Sequence, residues 1–242
     1  MNTLKFSLLQ AAFLLFALMS MAALAASAGT VTHLSGTLSV QRPDGSVRIL
    51  SQKSEVHPGD VLTTQRDSYA QINFVDGSSL TMRPNTQLKI EKFRFAQDRP
   101  REDSSFLRLI KGGLRTVTGL IGKRGDQNAY KIGTNTATIG IRGSSGDTLD
   151  CINGCEGVTS TSGNLEPGVY HTTYTGSYIM QNGAGDQIIG EGQFGFARAA
   201  SSAPVILPSD PGMNLGQLPF VLGVSATTTS FGAGFSPECI VR

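Results

Sequence analysis

The sequence predicts an all-β protein built from short strands that glycine-containing turns connect. Three observations support this: polar and apolar residues alternate in short runs, Asp-Gly pairs separate some of these runs, and helical periodicity is missing after the N-terminal segment. Glycine, at 29 of 242 residues, exceeds its usual share, as many tight turns require. We expect a single, largely antiparallel domain (a β-sandwich, a roll or a β-helix-like fold) between a cleaved N-terminal signal helix and an irregular C-terminal tail.

The N-terminal residues have the pattern of a secretory signal. Lys5 precedes an apolar stretch over residues 6–25, and Ala26-Ser27-Ala28 offers the small residues that a signal peptidase recognises. The alternative is a retained membrane anchor, because the stretch is nearly long enough to span a bilayer. No second long apolar segment follows. We therefore expect residues 1–28 to be removed, and the mature chain to be periplasmic or secreted without a membrane span.

Two hairpins and one corner are predicted next. Residues 37–50 alternate on either side of Pro43-Asp44-Gly45, and residues 69–82 alternate around Asp76-Gly77. Asp-Gly is a strong hairpin signal because these residues accept the positive φ that tight turns need. A further corner is expected before the strand that follows Gly59-Asp60. We interpret Gly59, Asp60, Asp76 and Gly77 as structural turn residues, with each Asp capping backbone N–H groups.

Five more strands are predicted in the middle of the chain, at residues 86–95, 106–110, 114–118, 129–132 and 136–141. In the first of them the apolar face changes between Ile90 and Phe93, which a bulge near Glu91–Lys92 would accommodate. Lys111-Gly112-Gly113 and residues 119–126 are expected to be connections. Residues 122–125 read Gly-Lys-Arg-Gly, but the spacing and the following helix of a phosphate-binding loop are absent.

A further hairpin is predicted over residues 175–189, around a glycine turn at 183–186, with another strand at 192–196. This order is similar to that of residues 35–64, either as an internal repeat or as the common pattern of hairpins. We place the β domain at residues 29–200. Beyond it, proline, glycine and serine replace the alternation, so residues 201–242 are expected to form an extended tail.

Charge is unevenly distributed along the chain. Residues 89–142 hold twelve Lys or Arg against five Asp or Glu, a net charge of +7, whereas residues 143–242 hold two against eight, a net charge of −6. A basic region can attract acidic glycans, lipid head groups or nucleic acid. The alternative is that these cations balance the acidic half of the same molecule. Nucleic acid is not an expected partner of an exported chain whose cations lack many interleaved aromatics.

Cysteine usage fits export but leaves the pairing open. Cys151 and Cys155 flank Asn153-Gly154, so in an oxidising compartment they can close a small loop as a disulfide. Cys239 leaves an odd thiol, and an intermolecular bridge or another pairing stays open. The three histidines show no metal-ligand spacing, so no metal site or cofactor is expected.

Several segments together resemble the FecR domain family. They are Val31 to Gly36 with the strand after it, Gly59-Asp60-Val-Leu-Thr-Thr, Ala70-Gln-Ile-Asn-Phe-Val-Asp-Gly-Ser-Ser-Leu, Pro84-Asn-Thr-Gln-Leu-Lys-Ile, Leu109-Ile-Lys-Gly-Gly-Leu-Arg and Thr134-Asn-Thr-Ala-Thr-Ile-Gly-Ile-Arg-Gly. The resemblance covers residues 29–143. The best-known members relay iron-siderophore signals from an outer-membrane receptor to a cytoplasmic sigma factor, and carry a sigma-binding segment ahead of a membrane helix. Here only a few residues precede the apolar stretch, so the resemblance implies a stand-alone exported β domain that binds or senses.

The same resemblance draws attention to Arg142. Family members commonly show Arg-Gly-Thr where this chain has Arg142-Gly143-Ser144, which keeps the hydroxyl and loses a methyl group. An Arg next to a Gly at a strand end is either a buried ion-pair partner or a contact for an acidic ligand.

We expect a non-catalytic protein that binds a cell-envelope partner, either a protein or a glycan, in sensing or signalling. One alternative is a membrane-anchored regulator of envelope signalling that keeps its N-terminal segment. Another is a hydrolase of envelope polymers, with Asp76, Asp147 and Asp150 as candidate acids. No spacing predicts that these acids meet, and no Ser-His or Cys-His arrangement accompanies them, so no catalytic residue is assigned.

Overall fold

The computed structural model describes residues 26–126, 128–155, 159–160, 165–215 and 218. Residues 1–25 of the predicted signal segment and most of the predicted tail lie outside these residues. Within them the regular secondary structure is almost entirely β, which confirms the predicted fold class. No helix in this described part has the length and apolar character needed to cross a bilayer.

The described residues form seventeen strands, numbered here in chain order, and one 3-10 helix, Pro100–Glu102, between the eighth and the ninth strand. They are β1 (Gly29–Ser35), β2 (Leu38–Gln41), β3 (Val47–Leu50), β4 (Glu55–Val56), β5 (Val61–Thr64), β6 (Tyr69–Phe74), β7 (Ser79–Met82), β8 (Gln87–Arg94), β9 (Ser104–Val117), β10 (Tyr130–Gly133), β11 (Thr138–Asp150), β12 (Thr159–Ser160), β13 (Val169–Asn182), β14 (Gly185–Gly190), β15 (Phe194–Ala197), β16 (Val205–Leu207) and β17 (Met213–Asn214).

The long strand β9 is the hub of a fifteen-stranded sheet, and β12 and β17 form a separate pair. On one edge β9 pairs first with β8 and then with β7. On the other edge it pairs first with β10, in parallel, and then with β11, antiparallel. The sheet therefore divides at the middle of β9 into branches that lead away on both sides.

Two of these branches enclose the main core. One runs β3-β2-β5-β8 and the other β4-β1-β6-β7. Their buried side chains, Leu88 and Ile72 among them, belong to one apolar cluster. The rings of Phe74 on β6 and Phe93 on β8 stack at 5.0 Å between centroids, which joins the two branches face to face. The two branches belong to one sheet that is continuous through β9, and this sheet folds over so that its branches pack face to face.

The local turn predictions are confirmed. β2 pairs with β3, β6 with β7, and β13 with β14, each across the expected turn. The register of β8 against β9 shifts between Ile90 and Lys92, where a bulge was expected.

The connection expected at Lys111-Gly112-Gly113 is instead the interior of β9. A Cβ at Gly112 would lie 2.5 Å from Thr86 Oγ1, and one at Gly113 would lie 2.3 Å from Leu149 Cδ2. Gly112 also has a φ of +86°, which favours glycine. Glycine therefore occurs here because neighbouring chain segments approach β9 closely and because the backbone at Gly112 is left-handed. The strands predicted at residues 106–110 and 114–118 are therefore one strand.

The sheet also continues past the boundary predicted at residue 200. β16 pairs with β15, with Phe194 opposite Leu207. Pro204 and Pro208 stand directly before and after β16. Because proline cannot donate to a ladder, it is compatible with the ends of an edge strand, and its frequency here did not mean a lack of structure.

Candidate functional site

The turn at Asp76 holds the loop of residues 118–126 against the sheet. Asp76 Oδ1 accepts hydrogen bonds from Ser78 N and Oγ, at 3.0 and 2.6 Å, and Oδ2 accepts one from Ile121 N at 3.2 Å. Gly119 passes so close to the turn that a Cβ would lie 2.3 Å from Ser78 N, so this position needs glycine. Asp76 therefore shapes its own turn and also fixes the loop that follows β9.

A bulge in β11 positions Arg142. The register of β11 against β13 shifts between Arg142 and Ser145, and Gly143 inside the bulge has a φ of +62°. Ser144 is buried: its Oγ accepts a hydrogen bond from Ser177 N at 3.0 Å and lies 2.6 Å from Ser177 O and 2.9 Å from Arg142 O, to either of which it can donate. The hydroxyl at position 144 thus fixes the bulge. Arg142 lies within a strand, not at its end as expected.

Three openings meet at one lysine between this loop and this bulge. The first, of about 370 Å³, is lined by Gly122, Lys123, Arg124, Gly125, Asp126, Arg142 and Gly143. A second, of about 480 Å³, extends towards Phe95 and Leu120, and a third, of about 400 Å³, extends towards Tyr174. Lys123 lines all three. We call the three openings together the Lys123 groove.

Lys123 and Arg142 are exposed, and among the described residues neither side chain forms an ion pair. Arg142 is therefore not the buried ion-pair partner that one interpretation of the sequence suggested. Elsewhere in the basic region, Arg94 and Arg99 pair with Glu102, Lys89 and Arg108 with Glu91, and Arg124 with Asp103. Several other cations of this region also form no ion pair among the described residues, namely Lys92, Arg101, Lys111 and Lys131. Lys123 and Arg142 differ from those four because they line one cavity together.

Apolar side chains border the same groove. Val75 is 56% exposed and Leu120 47%, both on the opening towards Phe95. Val117 is 37% exposed and Tyr174 38%, both on the opening towards β13. Exposed apolar side chains that gather at a cavity are a usual property of binding surfaces.

A closed charge cluster lies beside the groove. Asp147 on β11 is opposite Arg115 on β9; its Oδ1 accepts a hydrogen bond from Arg115 Nε at 2.7 Å, and its Oδ2 accepts from Arg83 Nη2 at 2.8 Å and from Tyr174 Oη at 2.7 Å. Burial raises the pKa of Asp147, but the hydrogen bond from Arg115 and the charges of Arg83 and Arg115 outweigh it and hold the pKa below its usual value. The carboxylate therefore stays ionised, with both oxygens occupied.

The cluster also changes the pKa of its other members. The hydrogen bond to Asp147 raises the pKa of Arg115, and burial together with the charge of Asp147 raises the pKa of Tyr174 to about 12. Neither group changes its charge near neutral pH.

The predicted corner at Gly59-Asp60 lies apart from the groove lining. Gly59 has a φ of +91°, and the fully buried Asp60 accepts hydrogen bonds from His57 N at 2.8 Å and from Arg42 Nη1 at 2.7 Å. Gly77 has a φ of +80° in the turn that begins with Asp76. These contacts are those of turn residues.

Cys151 and Cys155 form a disulfide that closes the loop after β11. Cys151 also joins a small apolar cluster around Tyr170 and Phe196, whose rings lie 4.6 Å apart. Cys239 lies outside the described residues.

The three acids considered for hydrolysis do not meet. Asp76 and Asp147 have the partners given above, and Asp150 Oδ1 accepts a hydrogen bond from Ile152 N at 3.1 Å, while burial raises the pKa of its carboxyl. Asp147 and Asp150 are three residues apart on a regular stretch of β11, so their side chains point to opposite faces. The described residues also contain no cluster of His, Cys, Asp and Glu that could hold a metal ion.

A family model described as FecR protein matches residues 60–159, a range that includes the Asp76 turn, β9, the groove loop and the bulge of β11. Residues 60–159 are FecR-like. The resemblance expected from the sequence is thereby confirmed over this range. The Lys123 groove and the Asp147 cluster both draw most of their residues from the FecR-like region.

The search of solved structures adds more distant similarities. Two crystal structures from Parabacteroides distasonis, each described as a "putative anti-sigma factor", are 10% identical to the chain, with TM-scores of 0.45 and 0.46. They cover 62% of this chain, which in turn spans only 60% of their length. A "Cell surface anchoring domain" is 26% identical over 26% of the chain, with a TM-score of 0.25. No curated protein matches the sequence.

Sequence reasoning missed part of the groove and all of the charge cluster. Lys123 lies in the Gly-Lys-Arg-Gly segment of residues 122–125, which was weighed only as a phosphate-binding loop. Arg83, Arg115 and Asp147 are far apart in the chain, and no motif links them. The available signal was the position of Lys123 between Gly122 and Gly125, in the connection predicted after the strand at residues 114–118.

Proposed function

We propose that this chain is an exported, non-catalytic protein that binds a cell-envelope partner, either a protein or a glycan, through the Lys123 groove, in sensing or signalling. The observation that carries the proposal is the pair of exposed cations, Lys123 and Arg142, which line one cavity of about 370 Å³ without an acidic partner among the described residues. Unpaired cations that face a cavity attract an acidic group and steer its approach.

The FecR-like region supports a regulatory role, which a chain performs by contact with a partner. The N-terminal signal pattern supports export, and the disulfide between Cys151 and Cys155 is consistent with an oxidising compartment. The lack of any pairing between Asp76, Asp147 and Asp150 favours binding over hydrolysis.

Affinity capture from envelope extracts tests the proposal. The wild-type chain is compared with Lys123→Ala/Arg142→Ala, and with Lys92→Ala as a control that removes an exposed cation outside the groove lining. We expect the wild type and the control to retain the same partner, with binding that falls steeply as salt rises, and the double variant to lose it. Recovery of neither protein nor peptidoglycan, or equal recovery by all three, would contradict the proposal.

The membrane-anchored regulator remains the second candidate, because residues 6–25 are nearly long enough to span a bilayer. N-terminal sequencing of the exported protein separates the two. A start at Ala26 or Gly29 supports the free exported protein, whereas a start at Met1 supports the anchored regulator.

A further inference from the structure

The Lys123 groove combines charge with exposed aliphatic surface. Four of the nine large hydrophobic side chains that the described residues expose, namely Val75, Val117, Leu120 and Tyr174, border its openings. Lys123 lies among these apolar side chains, because it lines all three openings. A ligand that fits this surface must offer acidic groups and apolar groups close together.

The aromatic rings at the groove are already covered on one side. The guanidinium of Arg115 lies over the ring of Tyr174 at 4.8 Å, and that of Arg124 lies over the ring of Phe95 at 4.6 Å. The hydroxyl of Tyr174 is hydrogen-bonded within the Asp147 cluster. Each ring therefore has only its opposite face left for a ligand. The remaining apolar border is aliphatic, which suits the side chains of another polypeptide.

The polar groups at the centre point to the same class of ligand. Lys123 and Arg142 lack acidic partners, whereas Arg124 pairs with Asp103, and Asp126 in the same cavity accepts a hydrogen bond from Asn128 N at 2.8 Å. The cavity therefore keeps two cations available for carboxylates. Arginine binds a carboxylate through two parallel hydrogen bonds, and lysine binds it as a point charge.

We propose that the groove binds an acidic polypeptide segment of an envelope protein, whose carboxylates face Lys123 and Arg142 and whose apolar side chains cover Val75 and Leu120. This rests on the function proposed above, and it selects protein over glycan as the partner.

An array of random-sequence peptides, probed with the full mature chain, tests the ligand class directly. The bound sequences are expected to be enriched in Asp and Glu and also in Leu, Ile, Val or Phe. Lys123→Ala/Arg142→Ala should weaken binding of these peptides by roughly five- to twentyfold. Leu120→Ser should weaken it by roughly three- to tenfold through lost apolar burial.

Two control variants each remove a side chain of the same kind, one cationic and one apolar, from a position outside the groove. Lys92→Ala removes an exposed cation and Val47→Ser an exposed apolar side chain on the edge strand β3, both outside the groove lining. Both should bind the peptides as the wild type does. Peptide binding that all five proteins share equally would overturn the proposal.

A parallel titration with polygalacturonate, an acidic glycan without apolar side chains, separates this inference from the function on which it rests. Binding of polygalacturonate that depends on Lys123 and Arg142, without enrichment of acidic peptides, would overturn the inference and leave the proposed function standing. If neither probe binds and envelope capture recovers no partner, both proposals fail.

Discussion

Two groups of cations lie at or near strands β9 and β11, and they have opposite environments. Within the ladder, Arg115 and Arg83 surround the buried carboxylate of Asp147, and every oxygen of that carboxylate has a donor. In the loop after β9 and in the bulge of β11, Lys123 and Arg142 face a cavity that Asp126 also lines, but neither cation forms an ion pair among the described residues.

This difference follows from burial. A charge taken out of water must find a partner, because the loss of solvation costs several kcal/mol per ion, roughly, in a protein interior. Asp147 and Arg83 have side chains only 1% and 4% exposed, so they are held together. Exposed cations keep their water and need no internal partner. The closed cluster therefore serves stability, while the open pair is available to a ligand.

The largest expected effect comes from breaking the closed cluster. Asp147→Asn leaves Arg83 and Arg115 without their counter-charge, which should lower the free energy of unfolding by roughly 3–5 kcal/mol. Urea denaturation measures this. Asp186→Asn, an exposed acid on β14, is the control and should change the value by less than about 0.5 kcal/mol. Equal effects of the two substitutions would mean that the cluster does not stabilise the fold.

The next largest effect is expected from acid, which should lower the free energy of unfolding through the buried His171. His171 is fully buried with its Nδ1 3.0 Å from Thr148 Oγ1, and burial lowers its pKa to about 3, although the charge of Asp147 opposes this. The unfolded chain takes up a proton at this histidine near pH 6.5, and the folded chain does not, so stability falls as the pH drops through the window between these values.

The free energy of unfolding should fall by an amount on the order of 3 kcal/mol between pH 6.5 and about 4 because of His171. His171→Asn should flatten this part of the profile, which urea denaturation at a series of pH values measures. The pKa of Asp147 is lowered in the folded chain, so its protonation reduces the free energy of unfolding only at more acidic pH, as the pH falls through that folded pKa. An unchanged slope in His171→Asn would exclude the histidine as the cause.

An intermediate effect is expected at Asp76, where one substitution should lower both the unfolding free energy and the affinity for the partner. Asp76→Ala removes the acceptor of Ser78 and Ile121, which should cost about 1–3 kcal/mol of unfolding free energy and loosen the loop that carries Lys123. Partner binding should therefore weaken as well. The matched control is Asp44→Ala, which removes a similar cap to Ser46 N in the β2–β3 hairpin and should leave binding unchanged.

A smaller effect is expected at the bulge. Ser144→Ala removes the hydroxyl that bonds to Ser177, which should cost about 1 kcal/mol and weaken partner binding because Arg142 is held less firmly. Ser144→Thr keeps the hydroxyl and restores the Arg-Gly-Thr order of the family. Its binding should be close to that of the wild type, and a threonine variant as weak as the alanine variant would refute this role of the hydroxyl.

The parts of this molecule that the sequence predicted are those that local chemistry decides. The turns at Asp44-Gly45 and Asp76-Gly77 depend on residues that accept positive φ, and the bulge near Glu91 appears as a break in alternation. The sequence predicted a connection at Gly112 and Gly113, because Gly112 has the positive φ of a turn residue while the close approach of Thr86 and Leu149 is a tertiary contact.

The sequence predicted only part of the candidate site, because the rest of the site depends on tertiary contacts. Arg142 stands in a recognisable motif, but its cavity needs a loop that Asp76 holds from elsewhere in the chain. Asp147 was weighed as a catalytic acid, and only the fold brings Arg83 and Arg115 to it. Ion pairs between strands leave no periodic signal in a single sequence.

The most direct test of the central claim measures stability and binding in one variant, Lys123→Ala/Arg142→Ala. We expect its unfolding free energy to stay within about 0.5 kcal/mol of the wild type, while its affinity for the captured envelope partner falls roughly tenfold at low salt. A large loss of stability, or undiminished binding in a stable variant, would contradict the division between a closed cluster that stabilises and an open pair that binds.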